Sequence, residues 1–157
     1  MNLNVRAWLS GVALASALAL AACGGGGGGT GGGGGAAGAS LNVSTAGEQL
    51  QFAPANLTAA PGDVKVTFKN GSGAQKHNWV LVKGGDDVAQ KVDEAGAAAG
   101  DGKGYIPDDP NIVAKTKLVD GGSSDTASGN LAAGTYTFLC TFPGHYAAGM
   151  KGTLTVK

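Results

Sequence analysis

A thiol, an imidazole and a thioether fall within eleven residues near the end of the chain, in Cys140-Thr-Phe-Pro-Gly-His145-Tyr-Ala-Ala-Gly-Met150. Together these groups select a soft, redox-active ion. A cysteine with two histidines and a weak axial methionine is the ligand set of a blue copper electron-transfer site. The stretch supplies one histidine, and the chain of 157 residues has one other, His77. A single bland reading exists for each group. A buried free cysteine is usually a small hydrophobe, a methionine beside a strand usually packs the core, and a lone histidine is usually ordinary. Those readings leave unexplained why the only two histidines, Met150 and Cys140 complete one ligand pattern. Cys140, His77 and His145 are therefore the expected equatorial metal ligands and Met150 the axial one, with one copper ion per chain as the cofactor.

The elements that must position these groups can be read on either side of them. Thr135-Tyr-Thr-Phe-Leu-Cys140 is aromatic and β-branched, and Lys151-Gly-Thr-Leu-Thr-Val-Lys157 alternates polar and apolar residues, so both are expected strands. Pro143-Gly144 bends the loop between them and lets Cys140 and His145 face one point. His77 opens the strand-like run His-Asn-Trp-Val-Leu-Val. It can meet the loop only if its strand lies beside the Cys140 strand.

The motifs resemble those of azurin-like cupredoxins. Cys140-Thr-Phe-Pro-Gly-His145 and Met150-Lys-Gly-Thr-Leu-Thr-Val-Lys157 are similar to the last ligand loop and strand of that family. Lys76-His-Asn-Trp-Val-Leu-Val82 is similar to its upstream ligand strand, and Tyr105-Ile-Pro-Asp-Asp-Pro110 and Val113-Ala-Lys-Thr-Lys-Leu-Val119 also match. The resemblance covers residues 41–157, and with the N-terminal tether described below it is greatest to the membrane-associated auracyanin group. It implies that the backbone N–H groups of Asn78 and Phe142 point at the Cys140 sulfur. It further implies that the Asn78 side chain ties the two ligand loops together and that the Lys76 carbonyl lies opposite Met150. An apolar patch around His145, made of Phe142, Pro143, Tyr146, Ala147 and Ala148, is the implied docking face and electron exit. The chain departs from azurin in having four residues, Tyr146 to Gly149, between the loop histidine and methionine rather than three. Within residues 41–157 Cys140 stands alone, so the domain has no cysteine pair to form the azurin disulfide.

From Cys23 onward ten lysines face eleven acidic residues, with the only arginine, Arg6, before them. Nucleic acid would need a basic patch, so none is expected as a partner. Residues 1–22 read as a lipoprotein leader: Arg6, an apolar stretch from Gly11 too short to span a bilayer, then Leu20-Ala-Ala-Cys23. This resembles a bacterial lipobox, which makes Cys23 the expected lipidation site and the membrane a partner through a lipid anchor. Residues 24–40 are nearly all glycine and alanine. They have nothing to bury and read as a flexible linker with a reach of roughly 20–25 Å. No Gly-Lys-Ser/Thr follows, so the tract is not a phosphate-binding loop. The expected location is the outer, periplasmic face of the cell membrane.

Residues 41–157 read as one domain large enough to fold without staples. Leu41-Asn-Val-Ser-Thr and Leu50-Gln-Phe are expected short strands. Val64, Val66 and Phe68 form the inward face of a clean strand, and Trp79 and Leu81 share the face of His77. Ala-rich Asp86 to Ala99 is an expected helix, capped by Asp86 or Asp87 and ended by Gly100 to Gly104. Ile112 to Val119 is a strand, and Asp125 to Leu131 a weakly signalled one. Seven or eight short strands with regular turns make an all-β, Greek-key β-sandwich or barrel, cupredoxin-like by resemblance, with one short helical insertion.

The chain is expected to be a one-electron carrier and not an enzyme. A catalytic metal site keeps an open position, and four protein ligands leave none. The alternative is a periplasmic copper-binding or delivery protein, and the same site could also hold redox-silent zinc. A monomer is expected, with redox proteins at the membrane as partners in a photosynthetic or respiratory chain; the resemblance implies a quinol-oxidising complex as donor and a reaction-centre cytochrome as acceptor.

Overall fold

Val64, Val66 and Phe68 alternate with Lys65, Thr67 and Lys69, and the stretch is a strand with the first three side chains buried. The same period of two, buried against exposed, builds most of the fold. The computed structural model describes residues 38–157. The expected leader, the Cys23 lipidation site and most of the linker lie outside the described residues.

In chain order the strands are β1 (Ala39–Ala46), β2 (Gln49–Ala53), β3 (Asn56–Ala59), β4 (Gly62–Lys69) and β5 (Val80–Lys83). Helix α1 (Asp86–Ala99) follows, then β6 (Ile112–Lys115), β7 (Ser124–Leu131), β8 (Gly134–Leu139) and β9 (Lys151–Val156). They form two sheets, one in the order β2-β1-β4-β7 and one in the order β3-β9-β8-β5-β6. This is a mostly β, two-sheet cupredoxin-like fold. The sheets remain separate layers and do not close into a barrel.

Phe52, Phe68, Trp79, Phe138 and Leu154 fill the space between the sheets. Phe52 meets both Phe68 and Phe138 edge-on, with centroids 5.8 and 5.3 Å apart, an arrangement that aromatic quadrupoles favour. A second apolar cluster lies on the outer face of the other sheet. Val80, Val82 and Leu139 point there, against Ala89 and Val92 of α1 and Ile106. Strand β5 is thus buried on both faces, which explains its unbroken Val-Leu-Val.

Three expectations need correction. The run from His77 is not a strand over its whole length: β5 begins at Val80, and His77 sits in a single bridge to Val119. The Thr116 hydroxyl interrupts the ladder by accepting the Trp79 N–H at 2.9 Å. For the same reason β6 ends at Lys115 rather than at Val119. Neither Asp86 nor Asp87 caps α1. Gly85 stands at the cap without a side-chain bond, and both aspartates lie in the first turn, where the helix dipole favours negative charge. Strand β3 was not expected. Its Asn-Leu-Thr-Ala has little pattern of its own and takes strand form by parallel pairing with β9.

Candidate metal centre

The demand placed on His77 is met by register. Strand β5 runs antiparallel to β8 with Val80 opposite Leu139 and Leu81 opposite Phe138. Continuing that register beyond both strands sets Asn78 opposite Thr141, and side chains close the pair. The Asn78 amide donates to the Thr141 hydroxyl at 2.9 Å and to the Gly104 carbonyl at 3.0 Å, while its oxygen accepts the Thr141 N–H at 2.9 Å. Asn78 therefore ties the segment carrying His77 to the segment carrying Cys140.

The chain leading into His77 is held by a second buried asparagine. Asn70 donates to the carbonyls of Gln75 and Val119 at 2.7 and 2.9 Å and accepts the Ser72 N–H at 3.0 Å. The Glu48 carboxylate, from the β1–β2 turn, accepts the Ser72 hydroxyl at 2.8 Å and the Gly73 N–H. Just before His77, Lys76 sends its side chain outward to pair with Asp120 at 3.0 Å.

Three ligand atoms converge, one each from His77, Cys140 and His145, all within 4.8 Å of one another and all on buried residues. The Cys140 sulfur lies 3.9 Å from Nδ1 of His77 and 3.5 Å from Nδ1 of His145. Met150, fully buried, is bound to both neighbours through its backbone. Its N–H donates to the His145 carbonyl at 3.0 Å and its carbonyl accepts the Cys140 N–H at 3.1 Å.

Electrostatics suit a soft cation. Burial pushes the Cys140 thiol up to about 11, while the backbone N–H groups of Asn78 and Phe142 at the sulfur pull the other way. Those two donors favour the thiolate once a cation offsets its desolvation. Burial, then the neighbouring His145, lowers His77 to about 4, and burial also lowers His145. Both imidazoles are thus neutral at neutral pH, the form that ligates metals.

The rim is aromatic and small. The Phe142 ring lies against His145 with centroids 4.7 Å apart and takes the edge of Tyr105 at 5.0 Å. Pro143, Ala147 and Ala148 are exposed, Phe142 and Tyr146 are half-buried, and His145 is 8 % exposed. Tyr146 is also fastened: its hydroxyl reaches the Asp86 carboxylate at 3.1 Å and the Asp86 carbonyl at 3.2 Å. Burial, and then that bond, pushes its phenol up to about 12. The part played by Asp86 had no sequence signal beyond its place at a helix start. Nor did Glu48 or Asn70 announce themselves, since each partner lies on a different element.

A thiolate donor, two neutral imidazoles and a buried thioether fit a mononuclear copper site, and the fold and site together define a copper-binding cupredoxin. The description "Copper binding proteins, plastocyanin/azurin family" matches residues 39–157, and the chain belongs to that family. It is 42% identical over 121 residues to auracyanin-A of Chloroflexus aurantiacus, covering 75% of this chain and 74% of that one. To azurin of Bordetella pertussis it is 39% identical over 128 residues, covering 74% and 83%. The structure of dithionite-reduced auracyanin from the photosynthetic bacterium Roseiflexus castenholzii superposes with a TM-score of 0.72 at 47% identity, covering 75% of this chain and 96% of that one. The chain is accordingly an auracyanin- and azurin-related electron carrier, not a catalyst.

Proposed function

We propose that the protein is a membrane-tethered one-electron carrier in which His77, Cys140 and His145, together with Met150, would hold one copper ion. The observation that carries this reading is the placement of the Cys140 sulfur between two neutral imidazole nitrogens at 3.5 and 3.9 Å. When bound, copper supplies the exchange of one electron between its two oxidation states. The chain's own residues do the rest. Asn78 fixes the spacing of the two ligand segments, and the N–H groups of Asn78 and Phe142 stabilise negative charge on sulfur. Apolar packing keeps water away and makes the ligand frame costly to deform. A frame that changes little between oxidation states suits rapid transfer.

His145 is the ligand nearest solvent, and the apolar surface of Phe142, Pro143, Tyr146, Ala147 and Ala148 around it is the docking face for redox partners. Small apolar contacts of this kind suit brief encounters. By resemblance to azurin-like cupredoxins, the Lys76 carbonyl would also line the site, away from Met150. Residues 1–22 are a lipoprotein leader, Cys23 carries the lipid, and 24–40 are the tether of a domain spanning 41–157. This arrangement puts the copper domain at the outer face of the membrane, where tethering raises its effective concentration near partners. By family resemblance alone, the donor would be a quinol-oxidising complex and the acceptor a reaction-centre cytochrome.

The reading is tested by the visible spectrum of the copper-loaded protein, where an intense ascorbate-bleachable band is expected. Cell fractionation with Cys23→Ala tests the tether: the variant should leave the membrane fraction, and retention there would refute lipid anchoring through Cys23. Ala148→Lys should slow electron exchange with the partner without moving the spectrum.

A further inference from the structure

Between His145 and Met150 the loop has one side chain long enough to anchor it. Ala147, Ala148 and Gly149 are exposed, and of the intervening residues only Tyr146 reaches another element. The element it reaches is the first residue of α1. The Asp86 carboxylate and carbonyl take the Tyr146 hydroxyl at 3.1 and 3.2 Å. The other carboxylate oxygen takes the ammonium of Lys151, the residue directly after Met150. The triangle closes on its third side, because the Lys151 ammonium lies 5.1 Å from the centroid of the Tyr146 ring, within cation–π range. One aspartate thus grips the residue after His145 and the residue after Met150.

Helix α1 can hold that grip because it is itself seated on the ligand segment. Ala89 and Val92 pack against Leu139. At Gly96 an added Cβ would lie 2.5 Å from the Tyr105 carbonyl oxygen and 3.1 Å from Cβ of Thr141. The helix is therefore in contact with the residues on both sides of Cys140, and its N-terminus is at a fixed distance from the metal-binding loop.

We propose that Asp86 is a positioning residue for the metal centre, setting the separation of His145 and Met150 by holding Tyr146 and Lys151 from the end of α1. The inference rests on the ligand assignment made above. It gives a structural role to the four-residue spacing of this loop: Tyr146 supplies an outside anchor, and the small residues after it need none. The ion pair is partly exposed, with side chains 39% and 63% accessible, so its effect on global stability is small. Its effect is local, on where two ligands sit.

The test uses Asp86→Ala, Tyr146→Phe and the double variant, each measured with and without copper. In the metal-free protein, amide hydrogen exchange at Tyr146 to Met150 should quicken by about two- to fivefold in Asp86→Ala, while exchange across Val80 to Val82 stays unchanged. In the copper-loaded protein, the reduction potential and the ratio of the visible charge-transfer bands should both move. Tyr146→Phe should give a smaller change in the same direction. The double variant should fall short of the sum, as expected for groups acting as one unit, and Asp86→Glu should restore part of the effect. Unmoved potential and band ratio in Asp86→Ala would overturn the proposal. So would a uniform rise in exchange over the whole domain, which would mean loss of the helix, or strict additivity of the two single variants. A wild-type protein without the intense band would refute the electron-carrier reading instead, and the exchange measurement would still decide the role of Asp86.

Discussion

The two halves of the site are built in different ways. His77 and Cys140 sit at the ends of neighbouring strands, and what holds them is buried and uncharged: Asn70, Asn78, Thr116 and Thr141 bonding to backbone and to each other. His145 and Met150 sit on one loop at the rim. They are held by backbone turns, with Gly144 and Gly149 at positive φ, and by side chains that reach solvent. Buried neutral hydrogen bonds are costly to break because the orphaned group stays desolvated. Exposed charged contacts are worth little and can be reset by water. The inner half is therefore the fixed frame, and the outer half is the adjustable one.

Substitutions can break this contrast, beginning with the inner half. Asn78→Ala removes two donated bonds and one accepted bond and leaves the Thr141 N–H buried without its partner. It should cost the metal-free protein about 1–3 kcal/mol in urea unfolding and weaken copper retention. An unfolding midpoint within error of wild type would remove Asn78 as the tie between the ligand segments. Gly96→Ala should come next. The methyl meets a backbone carbonyl that cannot swing away, so helix and ligand loop must part, at a cost of about 1–3 kcal/mol. Because the strain falls beside Thr141, the visible bands should shift as the melting temperature drops. A melting loss without a band shift would mean that helix seating does not reach the ligands.

Much of this site was legible because its chemistry is rare. Two histidines, a late cysteine and an internal methionine leave few ways to build a metal site, and the alternation of β4 and β9 points to a sheet as its support. The contacts that hold the ligands were not legible. Glu48 and Gly73, or Asp86 and Lys151, become neighbours only after the sheets have formed, and no local pattern encodes such pairs. Strand β7 illustrates the same limit. Its Ser-Asp-Thr-Ala-Ser-Gly-Asn-Leu has only Ala127 and Leu131 buried, yet it pairs with β4 along its full length. First-turn and cap aspartates look alike in sequence, and Asp86 is of the first kind, its carboxylate turned outward to Lys151 and Tyr146.

The smallest expected effect lies at the edge of the inner half, where one charged residue supports the loop before His77. The Glu48 carboxyl is held below its ordinary 4.5, first by the Gly73 N–H and then by the Ser72 hydroxyl. A carboxyl lowered on folding contributes stability that is fully present above its unfolded value and is lost as pH falls through the lower folded one. Melting temperature against pH should thus show wild type slightly above Glu48→Gln near neutrality, with the gap closing in acid. A gap that persists undiminished in acid would assign the effect to packing rather than charge.

Copper binding by the Cys140 thiolate between His77 and His145 underlies the whole proposed function. Its most direct measurement is the visible absorption spectrum of the copper-loaded protein before and after ascorbate, beside that of Cys140→Ala. An intense thiolate-to-copper band toward the red end, bleached on reduction and missing from Cys140→Ala, is the predicted result. A pale protein that still binds copper, or a band that survives Cys140→Ala, would contradict it.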